Sequence, residues 1–248
     1  MPPASPEQIF DFLKRAHDAL QPLSQRINFS KEHPLHRNII ALYGSIIELT
    51  GSSILLVGKR LITGVPVLLR SILEAYVDLY NLSENPTYGY ALELSYIKEW
   101  LKILQEAKGG KNEYLADIAA APSLDASIAD WQRKKQHFEA KGHRSLKIEQ
   151  KFQRANMEKE YRSIYNSLCS DAHNNLRSLI DRHVELGHGD FEVVFYKAYT
   201  PDDSAVHVGM NAELLVRASQ RVHQFFDSAV KKEVAAYRVE LDQLRGEP

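Results

Sequence analysis

Residues 65–81, VPVLLRSILEAYVDLYN, constrain this chain more than any other stretch. Val65, Val67, Leu68, Leu69, Ile72, Leu73, Tyr76, Val77, Leu79 and Tyr80 place apolar groups on nearly every side. A helix that is apolar all round is a buried helix with neighbours on several faces. Yet Arg70, Glu74 and Asp78 sit inside it at i, i+4 and i+8, one stripe along one face. A buried charge left unpaired is strongly destabilising, so this stripe calls for partners from elsewhere in the chain. The arginine precedes the glutamate, the less favourable order for an isolated helix, so intrahelical pairing alone explains little. The stripe is either an ion pair that fixes helix register or a site that receives a ligand.

The partner flank is expected on a second long helix, residues 157–186. Tyr161, Tyr165, Leu168, Ala172, Leu176 and Leu179 recur there at steps of three and four, an amphipathic stripe. His173 lies on its flank, with Cys169, Ser170 and Arg177 nearby. Bringing the two flanks together predicts a Glu74–His173 or Glu74–Ser170 hydrogen bond, at about 2.6–3.2 Å or through one water. His173, Arg70 and Glu74 are the candidate catalytic residues, the imidazole as base or phosphate donor and the guanidinium as the positive charge. Ser170, Arg177 and Asp78 are candidate ligand contacts. Each has a plainer alternative: His173 can be a histidine hydrogen-bonded to a neighbouring helix, and Cys169 reads as packing rather than as a nucleophile. If both charges are buried, Glu74→Ala costs about 3–5 kcal/mol.

The remaining pattern predicts an all-α, single-domain bundle of six to eight helices over residues 1–248, with one small β-hairpin. Ser5, Pro6 and Gln8 form a helix start, N-cap, first position and capping box, for an N-terminal helix and linker over 1–34. The core helices, with the Arg/Glu/His cluster, are placed at 35–186. The first, 35–61, is small-sided at Gly44, Gly51, Ser52 and Ser53, which suits either a close neighbour or a break at Gly51. Further helices follow Asn85-Pro86, ending at Gly109-Gly110, then about 112–120, then from Pro122-Ser123 to about 141. FEVVFYKAY and AVHVG, joined by PDDS, read as the two strands of a hairpin at 191–208. One last helix is expected at 211–244.

Composition narrows the function classes. Of 248 residues 31 are basic and 32 acidic, a formal net charge of −1. This argues against a protein that coats nucleic acid or membrane over its whole surface, but not against a local patch. Residues 131–163 are such a stretch, with ten Lys/Arg against four Glu, or +6. They are either a solvated helix pair or a partner surface for a small anion or RNA. The one cysteine, Cys169, excludes an internal disulfide framework and fits a cytoplasmic location. No membrane segment is expected, because the most apolar run, 54–69, contains Lys59, Arg60 and Pro66. His33/His36 and His183/His188 lack a third ligand at regular spacing, so no metal and no cofactor are expected. The long amphipathic helices are compatible with a homodimer.

Arg70, Ser71 and Glu74 as RSxxE, followed by Tyr161, Tyr165, Leu168, Ser170 and His173, together resemble a bacterial family of helical proteins catalogued as a domain of unknown function. The similarity covers roughly residues 35–182. It implies an all-α fold with Arg, Glu and His clustered, and it implies no activity. A more distant similarity is to the HEPN superfamily, many of whose members are helical ribonucleases with an Arg, four to six residues, then His. Arg177 to His183 and Arg217 to His223 both have that spacing here. This similarity implies a metal-independent ribonuclease, with His173 or His183 as base and Arg70 or Arg177 on the phosphate.

Overall fold

A computed structural model describes residues 4–187, 189–197 and 199–246, without the Leu186 side chain. His188 and Ala198 lie outside the described residues. The chain is 76% helical with one small antiparallel sheet, so the all-α expectation holds, with more helical segments than the six to eight expected. It divides into two compact units, one made from the segments up to Glu84 and from Phe152 onward, the other from Asn85–Lys151.

The first unit is organised around α3 (Val65–Glu84), which packs against α2 (Pro34–Gly58), α9 (Asn166–Ala172) and α11 (Pro201–Phe225). Its Leu69, Ile72, Leu73, Val77 and Leu79 are buried, as the apolar pattern requires, whereas Val67 is exposed. α1 (Pro6–Ser24) starts with the expected capping box of Ser5 and Gln8 and lies on α2 and α11. α2 runs unbroken through Gly51. A Cβ there would come to 3.0 Å from the His17 imidazole, so the glycine makes room for α1. His17 Nε2 then donates to the Ile47 carbonyl at 3.1 Å. By length and apolarity α2 could also cross a bilayer. Here its Ile39, Tyr43, Ile46, Thr50 and Ser53 are buried. Two buried hydrogen bonds fix its register on α11: Tyr43 to Ser219 at 2.9 Å, and Thr50 to Asn211 at 2.9 Å.

In the second unit α4 (Tyr88–Lys108) packs on α6 (Leu124–Ala140), with the short α5 (Ala116–Ala119) against α4. Lys98 meets Glu139 and Lys108 meets Asp125, which makes the pair antiparallel. Ile97, Leu101, Leu104, Leu124 and Ile128 form its core, flanked by Trp100 and Trp131. The basic stretch 131–163 is divided between the units, ending in α7 (Ile148–Arg154) and α8 (Glu158–Glu160).

Three expectations are corrected. The single helix expected over 157–186 is interrupted twice. α8 passes through a π turn, Tyr161–Tyr165, into α9, which ends at His173. Asn174 then takes φ of 50°, and Asn175 caps a new helix, α10 (Leu176–His183). The apolar stripe therefore does not continue into the core: Leu176 is 73% exposed, whereas Ser178 and Arg182 face inward. Arg182 donates to the Asp171 carbonyl at 2.9 Å and to Asn174 at 3.1 Å.

The hairpin is displaced from 191–208. β1 (Val184–Leu186) pairs with β2 (Phe191–Val193), Leu186 opposite Phe191, and residues 201–209 are the first turns of α11. The PDDS segment is a helix start: Pro201 occupies the first turn, and the Thr200 N–H and hydroxyl both donate to Asp203 at 2.7 Å. Lastly, the helix expected over 211–244 is two, α11 and α12 (Lys231–Arg245), separated where Asp227 takes φ of 47°.

Candidate functional site

The α3 stripe and the α9 flank do meet, through partners other than those expected. Arg70 is the hub. Its Nε donates to Glu74 Oε1 at 3.0 Å, one terminal nitrogen reaches the Tyr165 hydroxyl at 3.4 Å, and the other reaches His173 Nε2 at 3.4 Å. The Tyr165 hydroxyl in turn donates to the same Glu74 oxygen at 2.8 Å. The guanidinium carbon also lies 5.6 Å from the Tyr165 ring centre. Neither the expected Glu74–His173 bond nor the Glu74–Ser170 bond is made directly. Glu74 is held by Arg70 and Tyr165, and Ser170 donates within its own helix to the Asn166 carbonyl at 3.2 Å.

The local sequence explains the geometry. Arg70 and Glu74 are one α3 turn apart and share a face. Tyr165 closes the π turn, an insertion that re-aims the side chains following it and is frequent at functional sites. Its ring packs on Phe152 at 5.1 Å and stacks on Tyr161 at 5.5 Å. The phenol is thus fixed on its apolar side and presents its hydroxyl to the charges. His173 stands at the C-cap of α9, just past Ala172, and is exposed.

Proton positions follow from the donor set. Arginine nitrogens only donate, so His173 Nε2 accepts, and the imidazole is neutral with its proton on Nδ1 in this arrangement. Burial pushes the Tyr165 phenol well above its ordinary range. Its bond to Glu74 adds to the push, Arg70 opposes it, and Cys169, one turn further along α9, adds again. The hydrogen bond to Tyr165 and the charge of Glu74 hold the Arg70 guanidinium protonated.

The charges are less buried than the sequence implies. The Arg70 side chain keeps 26% and that of Glu74 36% of its exposure. Asp78 lies one turn beyond Glu74, half-buried. Arg177 belongs to α10, 90% exposed and 3.8 Å from Asp181. The break at Asn174 removes it from the turn after His173, where a continuous helix would have put it. His183 sits against the Val194 carbonyl at 3.1 Å, part of the hairpin's closure. His223 is fully buried, edge-on to Tyr43, and Arg217 lies over Tyr76. Tyr165 is the residue that sequence reasoning missed. Spacing counts it as one more apolar position, although a tyrosine in place of leucine or phenylalanine supplies a hydroxyl that a buried position must satisfy.

Among the described residues no group of three His, Cys, Asp or Glu side chains is placed to hold a metal ion. The arrangement is a guanidinium oriented by a carboxylate and a phenol, with a neutral imidazole beside it. It can receive an oxyanion, or move a proton at the exposed imidazole. The sequence matches no curated protein and no solved structure. Residues 36–191 match the family model of DUF5677, a family of unknown function, and the chain, which carries both Arg70 with Glu74 and Tyr165 with His173 inside that match, belongs to this family.

Proposed function

We propose that this chain is a cytoplasmic ligand-binding protein whose α3–α9 seam receives the oxyanion of a ligand, a carboxylate or phosphate, on Arg70. One observation carries the reading. Three of the guanidinium's five N–H groups are used on Glu74, Tyr165 and His173, which leaves two on a side chain that is 26% exposed. Glu74 and Tyr165 hold the fork in place, so little ordering is needed when an anion docks. Titrating inorganic phosphate and acetate into the protein calorimetrically tests this. Saturable binding, lost in Arg70→Gln with unchanged circular dichroism, supports it. Identical heats in the variant contradict it.

A second reading is a metal-independent, HEPN-like ribonuclease, favoured by the Arg70–His173 contact at an exposed position. His173 would take the proton of the 2′-hydroxyl as its oxygen attacks the adjacent phosphorus, while Arg70 neutralises the phosphate. The P–O5′ bond breaks and the 5′-oxygen leaves with a proton from solvent water, giving a 2′,3′-cyclic phosphate. This reading ranks second because it asks more of the site than anion binding does: a proton donor for the leaving oxygen, whereas the Tyr165 proton is already given to Glu74. Incubation with mixed RNA and a chelator separates the two. Chelator-resistant cleavage, abolished by His173→Ala, would put the ribonuclease first.

A further inference from the structure

A second polar site lies in the Asn85–Lys151 unit and shares no residue with the Arg70 cluster. Lys98, Lys102 and Gln105 on α4 face Gln132, Lys135 and Gln136 on α6 across a groove of about 490 Å³. Leu101, 5% exposed, is among the lining residues, and no carboxylate is. Volumes of this order are typical of small-molecule sites. Apolar lining is usual in such sites, whereas here lysines and primary amides dominate, a set of donors suited to an anion rich in acceptor oxygens.

Two of the three lysines are not spent on the protein. Lys98 is shared between Glu139 at 3.3 Å and Ser145 at 3.0 Å. Among the described residues Lys102 and Lys135 have no carboxylate partner, and the three glutamine amides have no hydrogen-bond partner. Lys98 and Lys102 are one helical turn apart, about 6 Å, so they address two neighbouring anionic groups rather than one. From 98 to 105 the groove follows α4 for about 10 Å. Beyond that, each end meets a carboxylate: Glu139 beside Lys98, and Asp125 beside Lys108. A nucleic-acid strand running through would carry its phosphates past both. A compact ligand seated on Lys102 and Lys135 keeps clear of Asp125 and meets Glu139 only through the shared Lys98.

We propose that this groove binds a small ligand carrying two or more phosphate groups, held by Lys98, Lys102 and Lys135 with the glutamines as hydrogen-bond donors. The inference does not rest on the Arg70 site, and its test keeps the two apart. Sodium tripolyphosphate is titrated calorimetrically into the full chain and into Lys102→Gln/Lys135→Gln, Lys102→Arg/Lys135→Arg and Arg70→Gln. The expected result is saturable binding by the wild type, tighter than for orthophosphate and weakened by added salt. The double glutamine variant binds roughly tenfold or more weakly, as the loss of two charge-assisted contacts requires. The double arginine variant and Arg70→Gln keep their affinity. Absence of saturable binding by the wild type, or equal affinity in the double glutamine variant, overturns the proposal. So does an oligouridylate that binds more tightly than tripolyphosphate with affinity rising with its length, which would assign the groove to a strand.

Discussion

Tyr165→Phe removes one oxygen from the centre of the α3–α9 cluster and little else. The ring keeps its contacts with Phe152 and Tyr161. What goes is the 2.8 Å bond donated to Glu74 and the 3.4 Å bond accepted from Arg70. A hydrogen bond to a charged group is worth about 1.5–3 kcal/mol. Two features bring the expectation to the lower end. Glu74 is 36% exposed, so water can replace the lost donor, and the Arg70 contact is long. We therefore expect a loss of about 1.5 kcal/mol. Exposure lowers the expectation for Glu74→Ala in the same way, from the 3–5 kcal/mol of a fully buried pair to about 1–2 kcal/mol. Because Tyr165 and Arg70 share one carboxylate oxygen, Tyr165→Phe and Glu74→Gln are coupled, and a double-mutant cycle gives about 1 kcal/mol of interaction. The assay is urea unfolding at neutral pH followed by circular dichroism, since both tryptophans, Trp100 and Trp131, belong to the Asn85–Lys151 unit. A loss below about 0.3 kcal/mol, or effects that simply add, would refute the shared-oxygen geometry.

Three further outcomes follow from groups elsewhere in the first unit. Burial pushes the Tyr43 phenol up to about 12, only partly offset by Ser219, so the unfolded chain gives up this proton first. Its stabilisation is complete below about pH 10 and is lost as pH rises towards 12; the difference between wild type and Tyr43→Phe in urea midpoints should shrink by about 3 kcal/mol over that range. Burial lowers the pKa of His223, whose ring nitrogens have no hydrogen-bond partner. Its contribution is present above about pH 6.5 and is lost on acidification, so His223→Leu should flatten the acid limb of thermal stability without loss at pH 7. Asp203→Ala strips the α11 N-terminus of both Thr200 bonds and should cost about 1 kcal/mol in the same unfolding assay.

The sequence carried the fold where one local rule had no rival. The Ser5–Gln8 capping box, the all-round apolar α3 and the Gly109-Gly110 stop each have a single reading. Where two local rules compete, residue spacing alone misleads. Alternating β-branched and aromatic residues in 191–209 suggest strands, but Thr200, Pro201 and Asp203 together start a helix, and the helix prevails. Backbone turns at Asn174 and Asp227 interrupt stripes whose spacing alone looks continuous. At the site, periodicity and charge pointed to the meeting of α3 with the His173 flank. They could not choose Glu74's partner, because the π turn that aims Tyr165 leaves no mark in a three-and-four spacing.

Arg70, held by Glu74 and Tyr165 and flanked by His173, is proposed to receive an oxyanion. The side-chain ¹H–¹³C resonances of His173, assigned by comparison with His173→Gln, report on it most directly during a titration with inorganic phosphate. A saturable shift of the His173 signal is expected in the wild type, strongly reduced in Arg70→Gln, while buried His223 stays still. A His173 signal that does not move, or that moves equally in Arg70→Gln, would contradict it.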